Sequence, residues 1–266
     1  MIKFIYLLFG TKPTYQAELR YSISTLLAEM PEAAGNIVVY TDRPSAYVAD
    51  SHQVKAVDIS PNLAEMTNAG EYVFRAKPWA VLHALQTYGC PCVFLDTDTF
   101  VKRGFARALK SKLLRGAVMD RYVREHPFPE CTGLETILPS GMPFRYDPKT
   151  AVMYNSGVIG VRPSDAAAIE DSIAIIDAIR PLSYKRTHDQ EQFAINEALR
   201  IHGVHIGVIH NTLNHYCSRW QKRYMHWRFE RIADIAAAPI MPRRPRITVN
   251  KAIGAVFKYT NKRLLK

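Results

Sequence analysis

The sequence predicts an α/β fold, a mixed sheet flanked by helices and followed by a basic helical extension. Three observations carry this expectation. Short apolar runs alternate with longer helix-like segments through residues 2–209, the pattern of a sheet with crossover helices rather than of a bundle or sandwich. The 266 residues are 48% apolar and 22% charged, enough to bury a sizeable core and too apolar for a disordered chain. Finally, the apolar run at 92–95 ends in Asp96-Thr97-Asp98, a polar exit of the kind found at the carboxyl edge of open α/β sheets, where ligands bind.

Taken in order, residues 2–9 read as the first strand. Lys3 before the apolar run FIYLLFG has the look of a signal peptide, but the run is short and leads into TKPTYQAE without a small-residue cleavage site. Residues 17–29 read as a helix, 36–41 as a strand leaving through Asp42, and 76–88 as a helix opened by Lys77-Pro78, since a first-turn proline lacks only an N–H the helix does not use. The buried strand 92–95 is followed by a basic helix at 105–114. Prolines at 127, 129, 139, 143 and 148 make residues 120–150 an irregular, functional loop. Strands at 152–154 and 157–161, helices at 164–179 and 189–201, and a strand at 204–209 complete the body. No stretch approaches the ~20 apolar residues of a membrane-spanning helix.

The net charge of +11 is uneven. Residues 1–218 hold 22 basic and 22 acidic side chains, whereas 219–266 hold 13 basic and two acidic, Glu230 and Asp234. This divides the chain into a neutral domain, 1–218, and a basic extension, 219–266. On a helical wheel residues 249–266 place Val249, Ile253, Val256, Phe257, Thr260 and Leu264 on one face and Lys251, Lys258, Lys262 and Lys266 opposite, a helix suited to an anionic membrane surface. Trp220, Tyr224 and Trp227 recur at helical spacing upstream, and the alternative is that these rings pack on the body. Without a nucleic-acid motif or a basic stripe on the body, no nucleic acid is expected. Cys90, Cys92, Cys131 and Cys217 are too few and scattered for a disulfide framework and read as reduced cysteines of a cytoplasmic protein.

Asp96 and Asp98 fit two chemistries. Two hard oxygen ligands one residue apart can hold Mg²⁺ or Mn²⁺ against a diphosphate. The string DTDT also fits the loop of haloacid-dehalogenase-type phosphatases, with the first Asp as nucleophile and the second as general acid. That reading needs a late acidic pair for Mg²⁺, and the later acids Glu170, Asp171 and Asp177 fall in a helix-like stretch rather than after a strand.

VFLDTDTFV, MYNSGVIGV at 153–161, HDQEQFAIN at 188–196 and VIHN at 208–211 come in the order and rough spacing of nucleotide-sugar glycosyltransferases. Over residues 1–215 the chain resembles glycosyltransferase family 8, the glycogenin and lipopolysaccharide galactosyltransferase type. The resemblance implies a GT-A-like, Rossmann-type sheet and a retaining transfer from a nucleotide diphosphate sugar, with UDP as nucleotide and Mn²⁺ or Mg²⁺ as cofactor. It also implies a glycan or lipid-linked acceptor, which with the basic extension suggests work on the inner, cytoplasmic face of a membrane. By resemblance Asp96, Asp98 and His210 are the metal ligands. His210 is followed by NTLNHY where the family usually has a Gly and Lys-Pro-Trp, so His215 is the alternative third ligand. Asn155 and Asp189 would bind sugar hydroxyls, and Gln190 would lie under the anomeric carbon, where a neutral amide stabilises an oxocarbenium-like centre. Thr11, Tyr15 and Asp42 would meet base and ribose; Lys77, Thr97 and Gly157 would line the donor. Asp189 and the Gln three residues on could equally be a capping box, and Gly157 an ordinary turn. A non-catalytic member that only binds a glycan or a partner is the remaining alternative.

Overall fold

The computed structural model describes residues 1–50, 52–123, 128–151, 153–182 and 189–230. In chain order its elements are β1 (Lys3–Leu8), α1 (Pro13–Glu29), β2 (Ile37–Thr41), β3 (Val54–Asp58), α2 (Leu63–Met66), α3 (Ala76–Tyr88), β4 (Cys92–Leu95), β5 (Thr99–Val101), α4 (Phe105–Leu113) and β6 (Ala117–Met119). There follow β7 (Tyr122–Val123), β8 (Glu135–Ile137), β9 (Pro143–Arg145), β10 (Met153–Tyr154), β11 (Val158–Val161), α5 (Ala166–Ile179), α6 (Gln190–Ile201), β12 (Ile206–Val208), β13 (Leu213–His215) and α7 (Arg219–Phe229).

The central sheet has seven strands in the order β12-β6-β11-β4-β1-β2-β3. β1 pairs in parallel with β2 and β4, while β11 runs antiparallel between β4 and β6. β2 and β4 are buried along their whole length, which accounts for their unbroken apolar runs. Leu19, Ile23 and Leu26 of α1 and Phe105, Leu109 and Leu113 of α4 cover one face. Ala80 and Val81 of α3, Ile169 of α5 and Ile195 of α6 cover the other. From β1 the chain moves outward to β2 and β3, then returns to place β4 on β1's other side. The carboxyl ends of β1 and β4 therefore part, and a crevice opens where the connections diverge.

The mixed, helix-flanked sheet agrees with the expected fold class, but several elements differ from expectation. α1 starts at Pro13, an N-terminal proline the helix tolerates. β3 and β6 were not anticipated: β3 reads VKAVD and is partly exposed, and β6 is three residues long. The proline-rich segment is not wholly irregular, because β8 and β9 form a hairpin in which Pro143 takes the first position of its strand, where no ladder N–H is needed. β10 leaves the main sheet to pair with β7.

α7, the start of the basic extension, packs on α1. Tyr224, Met225 and Phe229 join Ala17, Tyr21 and Tyr216 in one cluster, with the Tyr21 and Phe229 rings 5.4 Å apart. The amphipathic stretch 249–266 lies outside the described residues. Among those described, no helix is long and apolar enough to cross a membrane, and the four cysteines are free thiols.

Candidate metal and ligand site

The chain leaves β4 through Asp96, Thr97 and Asp98 and turns into β5. The Asp96 N–H donates to the Gly157 carbonyl at 2.9 Å, and Thr99 Oγ1 donates to the Asp96 carbonyl at 2.7 Å. β5 is paired antiparallel with β13 so that Thr99 lies opposite His215. This register delivers the imidazole: His215 Nε2 is 3.3 Å from Asp98 Oδ1 and 3.7 Å from Asp96 Oδ2. One ligand atom from each of Asp96, Asp98 and His215 lies within 4.8 Å of the other two.

The third member of this group is thus His215, and the expectation for His210 is corrected. His210 is exposed and follows β12 at the sheet edge, three positions from β4. The strand that carries the neighbouring imidazole is β13, too short to show in the sequence.

Two residues of the MYNSGV block hold His215 in place. Asn155 Oδ1 accepts from the Gly157 N–H at 3.0 Å, which fixes the orientation of the amide, and it also faces His215 Nδ1 at 2.8 Å. An amide oxygen only accepts, so Nδ1 carries the proton and Nε2 faces the carboxylates, the arrangement a metal-binding histidine needs. A Cβ built on Gly157 would overlap the His215 ring. Gly157, expected to let a ligand approach the backbone, instead lets this imidazole do so.

The site carries strong internal charge compensation. Burial lowers the pKa of His215, but the carboxylates of Asp120 and Asp98 outweigh it and raise it to about 10. Burial pulls Asp98 upward, and His215 and Lys222 overcome this and hold it below the usual carboxylate range. Lys222 Nζ, from α7, is 2.8 Å from Asp98 Oδ2. Asp96 is raised, first by burial and against the pull of Lys77. Lys77 Nζ lies 3.1 Å from Asp96 and 3.0 Å from Glu191. Burial disfavours its charge, yet the two carboxylates more than restore it and raise its pKa.

Lys77, Asp96, Asp98, Glu191, His215 and Lys222 line a cleft of about 910 Å³ that also takes in Phe9, Tyr15, Phe74, Thr97, Asn155 and Asp189. Asp189 precedes α6 and makes no side-chain cap, so the capping-box alternative fails and its carboxylate is left at the cleft. Gln190 is fully buried and is not among the lining residues, whereas Asp189, Glu191 and Gln192 are. Successive helical residues turn by about 100°, and at this start of α6 that turn takes Gln190 into the core. Thr11 is exposed outside the cleft. Asp42 spends one oxygen on the Gly10 N–H at 3.0 Å, tying the end of β2 to the end of β1, and does not line the cleft either.

Sequence reasoning missed Glu18, Ser156, Glu191 and Lys222. Glu18 is 1% exposed and bonds His226 of α7 at 2.8 Å; Ser156 Oγ donates to Glu191 at 2.6 Å. Ser156, inside the MYNSGV block, and Glu191, inside the HDQEQ block, had a neighbouring signal; Glu18 and Lys222 had none.

No protein-family model matches the chain, and no curated protein matches it. Solved structures do. The crystal structure of the galactosyltransferase LgtC in complex with donor and acceptor sugar analogs has a TM-score of 0.55 at 14% identity, covering 96% of this chain and 99% of that one. A glycosyltransferase involved in the glycosylation of the major capsid of PBCV-1 has a TM-score of 0.47 at 12% identity, over 87% of this chain and 99% of that one, too distant to carry an argument. The first likeness establishes the architecture: the chain has the GT-A type of mixed α/β fold.

Proposed function

We propose that this chain is a divalent-metal-dependent glycosyltransferase that moves a sugar from a nucleotide diphosphate sugar to a glycan or lipid-linked acceptor. The observation that carries the reading is the group Asp96, Asp98 and His215 at the divergence of β1 and β4. Its donor set fits a divalent ion: two carboxylates supply hard oxygens, and an imidazole with Nδ1 tied to Asn155 presents Nε2. Nitrogen in the set favours Mn²⁺ over Mg²⁺, which prefers oxygen and water. When bound, the ion would neutralise the charge of the departing diphosphate.

The chain's own residues supply the rest. Lys77 keeps Asp96 and Glu191 compensated in a buried position. Lys222, 2.8 Å from Asp98 and lining the cleft, would offer a further cation to a diphosphate bound there. Asp189, uncapped at the cleft, offers a carboxylate to sugar hydroxyls. The buried Gln190 is not assigned the position under the reacting carbon. Cleft volume is in the range of small-molecule and cofactor sites. The resemblance of the sequence motifs supports UDP as the nucleotide and retention as the stereochemistry, and the basic residues beyond 218 support work at the cytoplasmic face of a membrane.

The phosphatase alternative requires Asp98 to donate a proton, and His215 and Lys222 hold it ionised. A calorimetric screen of nucleotide sugars with Mn²⁺ tests the proposal. A UDP-sugar that binds with Mn²⁺ and not with EDTA is the expected result. Hydrolysis of an aryl phosphate, or no nucleotide binding with any divalent ion, would refute it.

A further inference from the structure

The neutrality of residues 1–218 is an average that hides one segment. Between Asp98 and Asp120 the chain carries six basic residues, Lys102, Arg103, Arg107, Lys110, Lys112 and Arg115, and no acidic one. The structure folds most of this stretch into α4, which buries Phe105, Leu109 and Leu113. With that face committed to the core, helical spacing sends the cations outward, and Arg103, Arg107, Lys110 and Arg115 are all exposed. Lys110 pairs with Glu32 at 3.0 Å, both side chains being more than half exposed, so solvent screens the pair. Among the described residues Arg103, Arg107 and Arg115 have no carboxylate partner. Beside them Leu114 projects into solvent, 82% exposed.

We propose that the outer face of α4, with Arg103 and Arg115 at its ends, is a docking surface for an anionic phospholipid bilayer. Charge complementarity argues for it: cations clustered on one helix, without acidic neighbours in the segment, are drawn to a negative headgroup layer. The leucine between Lys112 and Arg115 selects the bilayer over other polyanions. Guanidinium groups can sit at phosphate level while an aliphatic side chain reaches the acyl boundary, whereas a nucleic acid would leave Leu114 in water. Arg103 is five residues past Asp98, at most about 18 Å of chain, so a bilayer held here lies near the cleft. The surface is separate in sequence from residues 219–266, and its action does not depend on which reaction the cleft performs.

The test is sedimentation of the full chain with vesicles of equimolar phosphatidylcholine and phosphatidylglycerol, alongside vesicles of phosphatidylcholine alone. The expected result is binding to the anionic vesicles only. The triple variant Arg103→Glu, Arg107→Glu, Arg115→Glu lowers the partition coefficient by at least about 100-fold, since the loss of three cations from a headgroup surface alone accounts for that much. Leu114→Ser, which leaves every charge in place, lowers it several-fold. Absence of wild-type binding, equal binding to neutral vesicles, or unchanged partitioning of both variants would overturn the proposal. So would tighter binding to mixed-sequence duplex DNA than to vesicles, lost in the triple variant and kept in Leu114→Ser.

Discussion

Among the described residues two lysines line the cleft, and they stand in different surroundings. Lys77 comes from the first turn of α3 with a side chain 9% exposed and meets two carboxylates, Asp96 and Glu191. Lys222 comes from α7 with a side chain 37% exposed and meets one, Asp98. The first is enclosed by elements that pack on the sheet, so its charge is part of the scaffold. The second stands where solvent and ligands arrive, so a metal ion can take its place on Asp98 and a phosphate can take the place of Asp98 beside it. The cleft thus has a fixed wall and an adjustable one.

The largest expected effect falls on the fixed wall. Lys77→Met takes from the buried Glu191 its cation and leaves the part-buried Asp96 only His215, a change that costs about 3–5 kcal/mol. Lys222→Met removes a part-exposed cation and leaves the buried Asp98 still paired with His215, so it costs less, about 1 kcal/mol. Urea unfolding of both variants measures the difference, and equal losses would erase the distinction.

Metal binding sharpens it further. Asn155→Ala removes the acceptor that fixes His215, and outer-shell changes of this kind lower metal affinity by about 10–100-fold. His210→Ala leaves Mn²⁺ affinity unchanged in the same titration; a comparable loss there would return His210 to the ligand set. Lys222→Met is expected to tighten Mn²⁺ several-fold in the nucleotide-free protein, because it removes a cation that competes for Asp98.

A further effect is one of pH. His215 is raised from its ordinary 6.5 to about 10 in the metal-free fold. A group raised on folding contributes its full stability below the unfolded value and loses it as pH climbs through the folded one. The urea midpoint in EDTA should therefore decline between pH 6.5 and about 10, and this component should be missing in His215→Ala.

How much of this was legible depends on how local each signal is. The strand 92–95 and Asp96 and Asp98 could be read directly, because a fully buried strand is a continuous apolar run and its polar exit is abrupt. His215 could be held only as an alternative, since β13 is three residues long and gains its meaning from pairing with β5, more than a hundred residues earlier. Gly157 was singled out for close approach, but the approaching group is a side chain of this same protein. Glu18 and Lys222 carried no signal: a buried glutamate in α1 and a lysine in a basic helix acquire a role only when α7 packs on α1. The neutral total of residues 1–218 concealed the cations of α4, because a sum over a domain does not report where charges lie.

The central claim is that Asp96, Asp98 and His215 hold a divalent ion against a nucleotide diphosphate. Thermal unfolding with UDP, with and without Mn²⁺, tests it most directly in wild type and in Asp98→Ala. The account predicts that UDP raises the wild-type Tm only when Mn²⁺ is present, and that Asp98→Ala abolishes the increase. Undiminished Mn²⁺-dependent protection of Asp98→Ala by UDP would contradict it.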